Sequence, residues 1–207
     1  LDELAALLPA RYAKQENSEG LLRSVDTYTY EAAGATEAPA LTLVETAPIS
    51  DEYREAFDKA LAQLDQGEQQ ASIDNLTFLT SESPMVAASH INLGIAQHQA
   101  GNLEAAEEHL QNALALGVAA RHPVVLTELG IVYRKLGRFA QAKDSYEAAL
   151  SAVPEYHFAR RNLGILCDLY LADTDCAMRE YETYSAAMPD DEEVAIWIAD
   201  VSNRMAR

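Results

Sequence analysis

The sequence predicts an all-α chain, a solenoid of about four helix-turn-helix repeats closed by a C-terminal helix, and three observations carry that expectation. A Leu-Gly-Ile triplet recurs at 93–95, 129–131 and 163–165, so its glycines stand 36 and 34 residues apart. A fixed period of roughly 20 to 50 residues marks a repeat architecture. After each triplet come a turn and a small residue that opens a second helix: Gly101-Asn102-Leu103 leads to Ala106, Gly137-Arg138-Phe139 to Ala142, and Ala172-Asp173-Thr174 to Ala177. Composition agrees, because 49% of the 207 residues are hydrophobic, alanine is abundant and aromatics reach only 7%, a balance that favours packed helix over sheet.

Taken in order, residues 1–50 form an N-terminal extension. Leu1, Leu4, Leu7 and Leu8 would make a short amphipathic turn that Pro9 interrupts, and the Ala, Thr, Pro and Glu of 31–50 read as a linker with Leu41–Val44 extended. A mobile tether is favoured over a segment that folds back along the solenoid or links two protomers. Residues 51–207 form the repeat domain, with units at about 53–86, 87–122, 123–156 and 157–189. The first is degenerate, carrying Ala60 where the others have glycine; the second has two extra residues before His122, and the fourth has one between Gly164 and Ala177. Prolines 84, 123, 154 and 189 close or reopen units, since proline suits a helix start where no amide donor is needed. Gly67, Gly101 and Gly137 fall at helix ends, where a left-handed backbone is wanted. A glycine in the first helix allows its partner to approach closely, with the alanine of the second helix at the same constriction. Residues 190–206 read as the closing helix: Asp190 or Asp191 can cap it, and Val194, Trp197, Ile198, Val201 and Met205 fall on one face. A solenoid needs such a cover because each repeat buries its face only against neighbours.

These features resemble the tetratricopeptide-repeat (TPR) family over residues 50–207: Leu-Gly on the first helix, a Gly-Asp-like turn, a small residue on the second helix and a terminal proline. The stretch from Asn162 to Leu171, then Tyr181-Glu182-Thr183-Tyr184 and Ile196-Trp197-Ile198-Ala199-Asp200, is similar to TPR proteins of the Gram-negative envelope, many of them lipoproteins or periplasmic adaptors. The resemblance implies a non-enzymatic scaffold that binds a protein or peptide partner, in the periplasm or anchored at the outer membrane. The alternative it leaves is a cytoplasmic regulator or chaperone that holds an acidic peptide. The chain opens at Leu1 without methionine, so a removed signal segment or an upstream lipid anchor is compatible with the envelope reading. Homo-oligomers are compatible with it too.

Other classes find little support. A formal net charge of -18 opposes nucleic acid and anionic lipid. No apolar run reaches the roughly 18 to 20 residues of a membrane-spanning helix. No catalytic constellation, cofactor motif or metal site is expected: phosphate loops and nucleophile elbows are absent, and His90, His98, His109, His122 and His157 are scattered along helices or loops. A catalytic protein using the repeats as a substrate platform lacks any such constellation. The acidic run 190–193 is best read as a helix start, and Trp197 as core. Cys167 and Cys176 sit on facing helix ends where a disulfide is geometrically conceivable, and two buried thiols are the favoured reading.

In TPR proteins the concave face is lined by first-helix positions 2, 5, 6, 9, 12 and 13. Carried over, these positions nominate Asn92 and Ile95 in the second repeat, Ile131, Arg134 and Lys135 in the third, and Phe158, Arg161, Asn162 and Ile165 in the fourth. The carboxylate clamp of chaperone-binding TPR domains is not reproduced, because Glu128 and Val124 stand where Asn and Lys would be wanted. Residues 119–161 carry net +3 inside this acidic chain, which reads either as a seat for an acidic segment or as ordinary solvated ion pairs, the second being slightly favoured.

Overall fold

A computed structural model describes residues 27–30, 41–44, 47–117 and 119–206. Among the described residues nine α-helices follow one another from residue 51. They are α1 (Asp51–Asp65), α2 (Gln69–Glu82), α3 (Ala87–Gln99), α4 (Leu103–Ala115), α5 (Pro123–Lys135), α6 (Phe139–Ala152), α7 (His157–Leu169), α8 (Thr174–Ala187) and α9 (Glu192–Met205). Pairs α1/α2, α3/α4, α5/α6 and α7/α8 are helical hairpins, each packed on the next, and α9 closes the last. This is a TPR solenoid. Ahead of it β1 (Thr27–Tyr30) pairs antiparallel with β2 (Leu41–Val44), Thr27 opposite Val44 and Tyr30 opposite Leu41. The stretch expected to be extended is thus a strand, a small addition to the helical plan. The expected turn at Leu1–Leu8 lies outside the described residues.

Local chemistry explains the helix ends. Ser50 caps α1 by accepting from the Tyr53 amide at 3.2 Å, with Asp51 and Glu52 in the first turn, where carboxylates meet the positive end of the dipole. Pro123 is the first residue of α5. Asp173 caps α8 through the Cys176 amide, and Asp191, of the two aspartates considered, caps α9 through Glu193. Three hairpins turn through a glycine of positive φ, at Gly67, Gly101 and Gly137; the fourth uses Ala172 at φ 52°.

The repeat glycines do what close packing requires, but their partner is larger than the alanine that the sequence nominates. A Cβ on Gly94 would lie 2.7 Å from Leu110 Cγ, one on Gly130 2.5 Å from Tyr146 Cε1, and one on Gly164 2.6 Å from Tyr181 Cδ1. The alanines Ala106, Ala142 and Ala177 are fully buried alongside. Sixteen residues separate glycine from partner in the second and third repeats and seventeen in the fourth, the extra residue being absorbed in the turn around Ala172. Ala60 and fully buried Leu76 keep the same sixteen-residue relation in the degenerate first repeat.

At the C-terminal end Val194, Trp197 and Val201 are buried, and Trp197 packs on Tyr181 with ring centroids 5.4 Å apart. Ile198 is partly covered, whereas Met205 is exposed and falls outside the covering stripe.

Candidate functional site

The candidate surface is the face of α3, α5 and α7, the first helices of the second to fourth repeats. These helices touch one another directly as well as their hairpin partners. Seven of the nine nominated residues are buried there: Asn92, Ile95, Ile131, Arg134, Arg161, Asn162 and Ile165. Lys135 and Phe158 are half-buried, and Gln99, at the end of α3, is exposed. The nominated set is therefore contiguous with the core rather than a row of solvent-facing contacts.

Individual side chains explain why. By repeat position Arg161 stands outside the inter-helix core, free to grip a partner carboxylate. Instead its guanidinium lies over the Trp197 ring, 4.5 Å from the centroid, and pairs with Asp191 and Glu193 at 3.5 Å each. The capping helix, not an outside ligand, occupies it. Arg134 lies over the Tyr170 ring at 5.6 Å and reaches its hydroxyl at 3.4 Å. Asn162 donates from Nδ2 to the Phe158 carbonyl one turn back, at 2.9 Å. Asp168 is nearly sealed from solvent and is paired with Arg204 of α9.

Between α3 and α5 lies a polar group that residue-by-residue reading leaves unpaired. His98 Nδ1–H donates to Glu128 Oε2 at 3.1 Å, both side chains being about 1% exposed. Beside them Thr127 is fully buried. His98 Nε2, Thr127 Oγ1 and Glu128 Oε1 find no hydrogen-bond partner among the described residues. Buried polar atoms are paired in the great majority of cases, and the His98–Glu128 contact pairs one nitrogen and one oxygen of this group. Glu128 also explains physically why a carboxylate clamp is absent here, since its acid group is part of the seam.

The positive stretch at 119–161 dissolves into pairs. Arg138 meets Glu107 at 2.7 Å, Arg160 meets Glu180 at 2.8 Å and Lys143 meets Glu147 at 3.7 Å. Some of these are exposed, in keeping with solvated ion pairs; Arg160 with Glu180, and Arg161, are instead largely withdrawn from solvent.

Two further relations are decided by the tertiary structure. Cys167 and Cys176 are joined in a disulfide, with Cα atoms 5.8 Å apart, which corrects the expectation of free thiols. The short turn through Ala172 folds the first turn of α8 back against the last turn of α7, so the two residues are forced together. His90 and His109 meet across the α3/α4 hairpin, Nδ1 to Nδ1 at 3.3 Å. Nineteen residues apart, they look unrelated in sequence. The repeat register could have found them: His90 lies one turn before Gly94, and His109 precedes the Leu110 that packs on that glycine. His90, His98 and His122 are all buried. Burial holds His122 well below the usual imidazole range, at about 4.

No helix among the described residues is long and apolar enough to cross a membrane. Nor do those residues contain a group of three or more metal-ligating side chains.

Comparison with known proteins agrees with this geometry. Residues 85–155 match the family model described as tetratricopeptide repeat, so the second and third hairpins are TPR units by sequence as well as shape. No curated protein matches the sequence. Among solved structures the chain is similar to MamA 41-end from Desulfovibrio magneticus RS-1, with TM-score 0.70 and 16% identity over 77% of this chain and 88% of that one. It is also similar to pilF of Pseudomonas aeruginosa, with TM-score 0.66 and 22% identity over 75% and 70%. A thermophilic TPR protein of Thermus thermophilus follows, with TM-score 0.59 and 22% identity over 73% and 81%. At these identities the likeness is one of fold.

Proposed function

We propose that this chain is a non-enzymatic adaptor of the bacterial envelope that holds an extended segment of a protein partner along the α3, α5 and α7 face. The TPR fold supports protein-protein interaction in general, and the observation that carries the reading of an extended segment is the continuous face that α3, α5 and α7 form by touching one another directly. An extended peptide backbone offers alternating N–H and C=O groups to the Gln99 amide and the Lys135 ammonium, and its side chains can pack on Phe158. Gln99 is exposed and Lys135 and Phe158 are half-buried on this face, so they are the side chains a partner reaches. Asn92, Ile95, Ile131, Arg134, Asn162 and Ile165 shape the wall behind, while Arg161 serves the cap.

The disulfide supports the compartment in this proposal, because such bonds persist in the periplasm and are rare in a reducing cytosol. The alternative of a cytoplasmic regulator gripping an acidic peptide draws less support, since Arg138, Lys143, Arg160 and Arg161 already have acidic partners.

A photo-crosslinking side chain at Gln99 or Lys135, in the protein expressed in its own cells, tests the reading. Crosslinks to one dominant partner are expected at both positions. Gln99→Ala should reduce partner affinity roughly 3- to 10-fold, the worth of one hydrogen bond, with a nearly unchanged melting temperature, since that side chain is exposed at the end of α3. Crosslinks at Lys135 that ignore Gln99→Ala would move the partner off this face. Finding Cys167 and Cys176 reduced in intact cells would remove the envelope assignment.

A further inference from the structure

We propose that His90 and His109 form a binding site for a divalent transition-metal ion of borderline softness, with Zn2+ as the reference ion, clasping the two helices of the second repeat. The proposal rests on the geometry of the two imidazoles. Their Nδ1 atoms are 3.3 Å apart, on rings whose centroids are 5.5 Å apart and whose planes are inclined by 34°. Two nitrogens each about 2.0 to 2.1 Å from a tetrahedral zinc ion stand about 3.3 to 3.4 Å from one another. The observed separation therefore matches the ligand-to-ligand distance such an ion needs, and a rotation of the rings brings both lone pairs onto it.

The surroundings set the tautomer in the direction that metal binding requires. His90 Nε2 lies 3.2 Å from the Pro84 carbonyl oxygen. A carbonyl can only accept, so His90 carries its proton on Nε2 and presents the Nδ1 lone pair to His109. A ligating histidine is commonly anchored in this way, its second nitrogen donating to a backbone carbonyl. Without metal, His109 Nδ1–H donates to that lone pair. With metal, His109 carries its proton on Nε2 and both Nδ1 lone pairs face the ion. The ring gains and loses one proton at different nitrogens, so binding near neutral pH releases no net proton from the pair.

Other features fit the same use. His90 is buried and His109 half-buried, so the pair is fixed on the α3 side and reachable from the α4 side. Burial holds both imidazoles below their ordinary range, and each also feels the carboxylate of Glu108. Ligation requires the neutral ring, the form that burial favours. With two protein ligands, water or a partner side chain must complete the shell. This predicts a readily exchanged ion rather than a permanently sequestered one.

The test is Zn2+ titration of the full chain without an affinity tag, by isothermal calorimetry in excess Mg2+. The magnesium occupies the acidic surface of this chain with a hard cation that prefers oxygen to imidazole. One Zn2+ per chain is expected, with a raised melting temperature. His109→Gln and His90→Gln should each weaken binding about tenfold or more, and Co2+ should give the visible absorption of a tetrahedral site in the wild type only. His109→Gln keeps the proposal testable if the more buried His90→Gln misfolds. No stoichiometric Zn2+ binding by the folded wild type, or equal binding by folded His109→Gln, would overturn the assignment.

Discussion

The guanidinium of Arg161 lies 4.5 Å from the Trp197 ring centroid and is flanked by Asp191 and Glu193. This joins the last full repeat to its covering helix through a stacked cation and two carboxylates. Such a contact in a desolvated place is worth about 2 kcal/mol or more. Arg161→Glu would set a third carboxylate beside two others under an aromatic face. A loss of about 3 to 5 kcal/mol is expected, as for a broken buried ion pair. Trp197→Ala should cost about 3 to 5 kcal/mol through the cavity it leaves. The double mutant should lose less than the two single losses combined, because the residues share one interaction. Urea unfolding checks all three, and an unchanged Arg161→Glu midpoint would contradict the packing described.

Gly130→Ala sets helix propensity against packing. Alanine gains about 1 kcal/mol in a helix interior, but its Cβ would meet the fully buried Tyr146 ring at 2.5 Å. Overpacking costs about 1 to 3 kcal/mol, so a net loss is expected. The same substitution in a Tyr146→Ala background should be neutral or stabilising. Thermal melts of the four proteins decide it.

The bond between Cys167 and Cys176 closes a short loop, with a sequence separation of 9. Chain entropy for a loop of that size corresponds to roughly 2 to 3 kcal/mol. Replacing both cysteines with serine, or adding reductant, should lower the midpoint of unfolding accordingly. The helical content should be unchanged. A reductant-insensitive melt would show that the pair contributes nothing at equilibrium.

Acid should loosen the fold through His122, whose 1% exposure and lowered pKa of about 4 belong together. In the unfolded chain the ring titrates near 6.5. The unfolded state therefore binds more protons between those values, and stability present above pH 6.5 is lost as pH falls through about 4. The full effect is about 3 kcal/mol. His90 and His109 shift in the same direction. Plotting stability against pH for the wild type and His122→Leu should show a shallower acid limb in the variant. Parallel curves would assign the acid sensitivity elsewhere.

How much of this was legible in sequence depends on the range of the interaction involved. The period of the Leu-Gly-Ile triplets, the turn glycines and the apolar stripe of α9 are written in spacings of a few residues. The sequence by itself thus determined the hairpins, the cover and the placement of Trp197 in the core. It also placed Leu41–Val44 as extended backbone. Tertiary structure decided which side chains meet between helices. Arg161 reads as an accessible cation by repeat position, yet α9 lies over it. His98 finds Glu128 thirty residues away, and His90 finds His109 nineteen away. Cys167 reaches Cys176 only because Ala172 adopts a left-handed turn where the other hairpins have glycine. The physical reason is common to these cases. Helix periodicity states which residues share a face, whereas the occupant of that face depends on how closely neighbouring helices pack. In this chain that distance is set by three glycines and by the side chains of Leu110, Tyr146 and Tyr181 lying on them.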